Sequence, residues 1–273
     1  MNNSSDVVLP SAQNILVTPR ALAIPFLTLI AFLAVWLTNS NQQVFLWLNH
    51  LGMGHVSKLF WANMTILGDT LVTVPLISLF MRQRPEIVWV ILIAAVFATL
   101  WVHGLKLIVN QPRPGAVLLP DVIHIIGVKL LRSSFPSGHA TTAFTLAGVL
   151  CLLRMHPAYS CTALLLALVV GLSRSVVGAH WPLDTLAGAF GGWVSAAIGV
   201  GLYRQLAHVK QWGTHVPGQK IQNMGLLLIS LTLLFYQNGY PTTLIFQYAI
   251  AVICIIVIAF NLHYLYRQPQ PVS

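Results

Sequence analysis

Residues 87–108 read IVWVILIAAVFATLWVHGLKLI, with one formal charge, Lys106, near the far end. A helix at a protein surface carries a polar face, and this stretch has none. Its length matches the ~20 residues that cross ~30 Å of hydrocarbon. The rest of the chain has the same character: of 273 residues 57% are hydrophobic and 7% charged, against roughly 25% charged in soluble domains. The fold class these numbers predict is an all-α, multi-pass integral membrane helical bundle.

Outward from that run, apolar segments fall at about 21–38, 60–81, 139–155, 159–177, 184–203, 222–237 and 242–260, which with the first predicts about eight transmembrane helices. Punctuation supports the boundaries: Arg82-Gln83-Arg84-Pro85, Met155-His156-Pro157 and Asn238-Gly239-Tyr240-Pro241 are turn sequences. Residues 39–59, mixed polar and apolar, suit a segment lying on the membrane surface. Residues 1–19 are polar, lack the basic start of a signal peptide, and are expected to form a mobile tail ahead of a single transmembrane domain over 20–267.

The formal net charge of +9 would on a soluble chain point to nucleic acid. Here the basic residues stand singly between apolar runs, with no basic stripe, so nucleic acid is not expected as a partner. Cys151, Cys161 and Cys254 each sit in an apolar stretch and read as small core hydrophobes. Counting Lys and Arg in alternate loops gives eight on one side (Arg20, Arg82, Arg84, Arg154, Arg204, Lys210, Lys220, Arg267) and six on the other (Lys58, Lys106, Arg113, Lys129, Arg132, Arg174). Lys106, Arg113 and Arg174 belong to the constellation below; without them the bias places both termini in the cytoplasm.

The chemistry is concentrated in three segments: Lys106-x6-Arg113-Pro114, Pro136-Ser137-Gly138-His139, and Ser173-Arg174-x5-His180-x3-Asp184. Alternating span direction brings the end of the third span, the start of the fourth, the end of the fifth and the start of the sixth to one face. Ser137 is a natural N-cap, Gly138 allows close approach, and the helix start offers N–H groups and a positive dipole to an anion. Lys106, Arg113 and Arg174 add three cations, a density suited to a phosphoryl group. Gly178 is a good residue to end the fifth span and Pro182 to begin the sixth, leaving His180 in the turn where Asp184 can orient it. An imidazole so held can attack phosphorus while a second protonates the leaving oxygen. No carboxylate cluster for magnesium and no GxxxxGK[ST] loop is present, so the expected chemistry uses no metal and no cofactor. By pairwise electrostatics, Asp184 should favour the charged form of His180.

In this order and at these spacings, the three motifs resemble the type 2 phosphatidic acid phosphatase (lipid phosphate phosphatase) superfamily, with every signature position matched over about residues 60–203. The resemblance implies a six-helix phosphatase core in which His180 forms a phosphohistidine, Asp184 supports it and His139 is the acid. It also implies that Lys106, Arg113, Ser137, Gly138 and Arg174 hold the phosphate. Substrates of the family include phosphatidate, phosphatidylglycerophosphate, isoprenoid diphosphates and lipid A phosphates. The expected function is therefore hydrolysis of a lipid phosphate or diphosphate, such as undecaprenyl diphosphate or a glycerophospholipid phosphate, at the outer face of a bacterial plasma membrane. The motifs do not bear on oligomeric state. Transfer of the phosphoryl group to a lipid acceptor, as in a lipid A-type phosphotransferase, is the alternative enzyme reading. A phosphate or lipid transporter is the non-enzymatic one, disfavoured because transport needs neither the His180/Asp184 pair nor a second histidine.

Three features stand outside the motifs. Asp69 falls within an apolar run, where a carboxylate is costly, and is either near the substrate or a helix N-terminal residue after Gly68. His103, one turn before Lys106, is expected to make a satisfied polar contact inside the bundle. Residues 115–135 form either a lid in the headgroup region or a packed loop.

Overall fold

The computed structural model describes residues 19–267, and the expected tail over 1–19 lies outside the described residues except at Pro19. Among the described residues every regular element is helical. In chain order these are α1 (Pro19–Leu37), α2 (Asn41–His50), α3 (His55–Ile66), α4 (Thr70–Leu76, continued by a 3-10 turn, Ile77–Phe80), α5 (Pro85–Val109), α6 (Pro114–Val117) and α7 (Gly138–Leu152). They continue with α8 (Pro157–Val176), α9 (Pro182–Gln205), α10 (Ala207–Thr214), α11 (Val216–Leu233) and α12 (Leu244–Arg267).

The multi-pass helical class is observed, whereas the count of eight is not. Among the described residues four helices are long and apolar enough to cross a membrane, in the stretches Pro85–Val117, Pro157–Val176, Pro182–Gln205 and Pro241–Arg267, and up to six if each of two bent pairs forms one span. One bent pair joins α1 to α2 at 108°, and the stretch over 39–59 holds α2, a turn and the first residues of α3. The other joins α3 to α4 at 68°, so the expected continuous span over 60–81 is broken. The break is local chemistry: Asp69 accepts the N–H of Leu71 at 2.9 Å and caps α4. Gly68 meanwhile lies so close to α7 that a Cβ there would sit 2.8 Å from His139 Cβ and 2.9 Å from its carbonyl oxygen.

The axis of the bundle is α9, which packs against α1, α5, α7 and α8. Its contact with α7 is a seam of small residues at i, i+4 spacing, starting at Asp184 and running through Gly188, Gly192 and Ala196. A Cβ at Gly188 would lie 2.5 Å from the Ser137 carbonyl oxygen, and one at Gly192 would lie 2.3 Å from that of Thr141. Lower on the seam, a Cβ at Gly148 would meet Ala196 Cβ at 2.7 Å. Helices associate in lipid by such close approach, and Thr145 adds a hydroxyl bond to the Gly192 carbonyl at 3.2 Å.

Helices α11 and α12 pair with each other and dock on α4. Cys254 is buried as expected and Cys151 half-buried, but Cys161 is exposed; its apolar surroundings face outward from α8 rather than into the core.

Candidate active site

Each helix end near the site follows from its local sequence. α5 stops at Asn110, whose φ of 38° is left-handed, so Lys106 occupies the last turn. Ser137 caps α7, its hydroxyl 3.5 Å from the N–H of Ala140. α8 ends in Val176, followed by Gly178 at φ +79°, a conformation that costs glycine little. Pro182 then opens α9, and His180 falls in the intervening turn.

The turn brings His180 and Asp184 together. Nδ1 of His180 lies 3.3 Å from Asp184 Oδ2, and that oxygen also accepts the N–H of Trp181 at 2.9 Å and the hydroxyl of Ser134 at 2.5 Å. Asp184 is fully buried and His180 2% exposed. Nδ1–H donating to the carboxylate leaves Nε2 as the basic nitrogen, and Nη1 of Arg113 stands 3.1 Å from it. The Arg113 guanidinium is held by the carbonyls of Arg132 (2.8 Å), Ala179 (3.0 Å) and Ser133 (3.3 Å). All these acceptors are neutral, so its charge is not cancelled by them.

Burial acts first on His180, followed by the cations Arg113, Arg174 and Lys106, and together they hold its pKa well below the ordinary imidazole value. The contact that would favour the charged ring is present, but desolvation and three positive charges outweigh that one carboxylate, which is already shared with Ser134 and Trp181.

Arg174 is 2% exposed. Its Nη1 donates to the hydroxyls of Thr65 and, at 3.2 Å, of Tyr240, and its buried Nε has no hydrogen-bond partner among the described residues. Lys106, Gly138 and His139 line one end of a cavity of about 220 Å³ that runs between α4, α5 and α7 to Ile77, Ile91 and Leu146. The close backbone approach expected at Gly138 is not observed. A Cβ there would make only an ordinary contact with Val102 at 3.7 Å, and the close approaches occur at Gly68 and Gly188 instead.

Asp69 is the helix N-terminal residue of the two readings, capping α4; it also lines the same cavity, and its second oxygen accepts the Tyr236 hydroxyl at 3.0 Å. His103, expected inside the bundle, is exposed and also lines this cavity, because α5 turns that face away from its neighbours. The 115–135 segment is a tied-down loop. Asn49 on α2 clamps both the N–H and the carbonyl of His124 at 2.8 Å, and Ile126 bonds Val177 at 3.1 Å while Val128 bonds Gly239 at 3.0 Å.

Sequence reasoning missed Ser134, Thr65, Asn49 and Tyr240. Ser134, three residues before the N-cap Ser137, is the one a search around the motifs could have reached. The others come from distant elements.

Comparison with known proteins gives the family. The family model of the PAP2 superfamily matches residues 58–207, more than half of the chain. The chain belongs to the PAP2 superfamily. Among curated PAP2-like relatives, a lipid A 1-phosphatase of Rhizobium etli is 36% identical over 109 residues, covering 37% of this chain and 44% of that protein. An undecaprenyl-diphosphatase of Sulfolobus acidocaldarius is 34% identical over 122 residues, covering 44% and 57%. The matches thus span about half the length of these relatives. Among solved structures, LpxE of Aquifex aeolicus aligns with a TM-score of 0.53 at 31% identity, covering 59% of this chain and 94% of that one. A PAP2-type phosphatidylglycerolphosphate phosphatase of Bacillus subtilis aligns at 0.51 and 21% identity, covering 69% and 98%, a likeness of fold. The chain is an integral membrane protein of this superfamily.

Proposed function

We propose that this PAP2 protein is a metal-independent phosphatase that hydrolyses a lipid phosphate or diphosphate through a phosphohistidine on His180. The observation that carries the reading is the placement of His180, with a carboxylate on Nδ1 and a guanidinium at Nε2. The Nε2 lone pair attacks phosphorus, Arg113 moves from that nitrogen to a phosphoryl oxygen, and the bond from phosphorus to the leaving oxygen breaks as His139 supplies the proton. Water, deprotonated by His139, then attacks the phosphohistidine, releasing inorganic phosphate and restoring neutral His180. Lys106, Arg113, Arg174, Ser137 and Gly138 hold the phosphoryl oxygens, supplying by fixed donors the charge stabilisation that a metal gives elsewhere.

The cavity between α4, α5 and α7 reaches the site at Lys106 and His139 rather than at His180, and its apolar residues Ile77, Ile91 and Leu146 suit the chain of a lipid whose headgroup meets those two side chains. The named activities of the relatives favour undecaprenyl diphosphate or a lipid A phosphate, and the family's range adds phosphatidate and phosphatidylglycerophosphate. On the positive-inside count the site faces outward from a plasma membrane, with both termini in the cytoplasm.

Purified protein incubated with 32P-labelled lipids of these classes tests the reading. We expect phosphate release that persists in excess chelator, and an acid-labile phosphoprotein lost in His180→Ala. That variant should retain vanadate binding within a few-fold while turnover falls by several orders of magnitude. Label passing to a second lipid rather than to water would select the phosphotransferase alternative, and near-normal release by His180→Ala would overturn the nucleophile.

A further inference from the structure

The turn between α11 and α12 lies beyond the residues matched by the family model, yet it reaches the arginine end of the site. Tyr240, 8% exposed, places its phenol oxygen 3.2 Å from Arg174 Nη1. Much of the turn fixes that ring. The N–H of Tyr240 donates to Asn238 Oδ1 at 2.6 Å, and the Asn238 amide donates to Thr243 at 2.8 Å and to Gln247 Oε1 at 2.5 Å. Gln247, fully buried, donates in turn to the carbonyls of Leu233 and Tyr236 at 2.7 and 2.8 Å. On the opposite side Gly127, at φ +85°, makes room: a Cβ there would lie 2.6 Å from two carbons of the Tyr240 ring.

A buried polar network of this kind holds one geometry when every member is satisfied. What it holds is a contact to a buried guanidinium whose hydrogen-bond acceptors, Thr65 and Tyr240, are neutral hydroxyls, and whose Nε is unpartnered among the described residues. A buried charge without a counter-charge in contact is costly, and among the described residues no carboxylate lies within salt-bridge distance of Arg174. We propose that Tyr240 is a positioning residue. With Thr65 it pins Nη1 of Arg174, so that the free edge of the guanidinium serves the phosphoryl group and the α11–α12 pair becomes part of the phosphate site. This rests on the phosphate-holding role proposed above for Arg174.

The test is a double-mutant cycle between Tyr240→Phe and Arg174→Lys on the purified full-length protein. The readouts are the inhibition constant of vanadate, and kcat and KM on a short-chain lipid phosphate in micelles. Tyr240→Phe should weaken vanadate about tenfold, the scale of one hydrogen bond to a charged group, and by less than twofold in the Arg174→Lys background. Gly127→Ala, which presses on the same ring, should show the same dependence on Arg174 and serves if Tyr240→Phe does not fold. Equal losses in both backgrounds, or no loss in either, would overturn the positioning role. Wild-type vanadate affinity in Arg174→Lys alone would instead overturn the reading of Arg174.

Discussion

Nη1 of Arg113 stands 3.1 Å from Nε2 of His180, the nitrogen proposed to attack phosphorus, so one guanidinium both guards the nucleophile and waits for the ligand. Three carbonyls fix its fork, which an ammonium cannot reproduce. Arg113→Lys keeps the charge and loses that geometry. Steady-state kinetics should show kcat/KM reduced about 100-fold or more, and a loss under fivefold would mean that charge alone suffices.

Ser134 donates to Asp184 at 2.5 Å with both side chains fully buried. Ser134→Ala leaves the carboxylate short of a partner, at a cost typical of a hydrogen bond to a charge. The expected outcome is a kcat lowered about tenfold with KM little changed, since the change acts on the orientation of His180 and not on phosphate contacts. A rise in KM at constant kcat would contradict this.

The pH dependence follows from the lowered pKa of His180. Attack requires an unprotonated Nε2, and a lowered pKa means that the proton arrives, and the rate falls, only below the usual imidazole value of about 6.5. In a pH series, kcat/KM should therefore show no acidic loss as pH drops through about 6.5. An acidic limb centred at or above that value would show that Asp184 dominates the ring after all.

Orientation is tested with single cysteines in place of Ala116 and Gln211, both exposed. In intact cells an impermeant maleimide should label the first, and the second only after permeabilisation. The reverse pattern would put the site on the cytoplasmic leaflet.

The sequence displayed the chemistry more clearly than the bundle that holds it. Ser137, Gly178 and Pro182 act at helix ends through local rules of capping and backbone conformation, and those rules place His180 and Asp184 where the structure has them. The break at Gly68-Asp69 was hidden because hydropathy averages over a window in which one carboxylate and one glycine hardly count. Thr65 and Tyr240 were invisible for another reason: their contacts to Arg174 join residues 109 and 66 positions away, and no periodicity encodes such a pairing. The sign of the His180 shift also needed three dimensions, because burial is a property of the assembled site.

The seam from Asp184 through Gly188 and Gly192 to Ala196 divides the chain into parts with different freedom to vary. A methyl group added at Gly192, about 12 Å along the helix from Asp184 at 1.5 Å per residue, would meet the Thr141 carbonyl at 2.3 Å and force α7 and α9 apart along the seam that begins at Asp184. Added bulk is thus poorly tolerated at seam residues that lie outside the proposed site. The outward faces of α8 and α12 meet no such constraint, so substitutions can accumulate there while α7 and α9 stay in register.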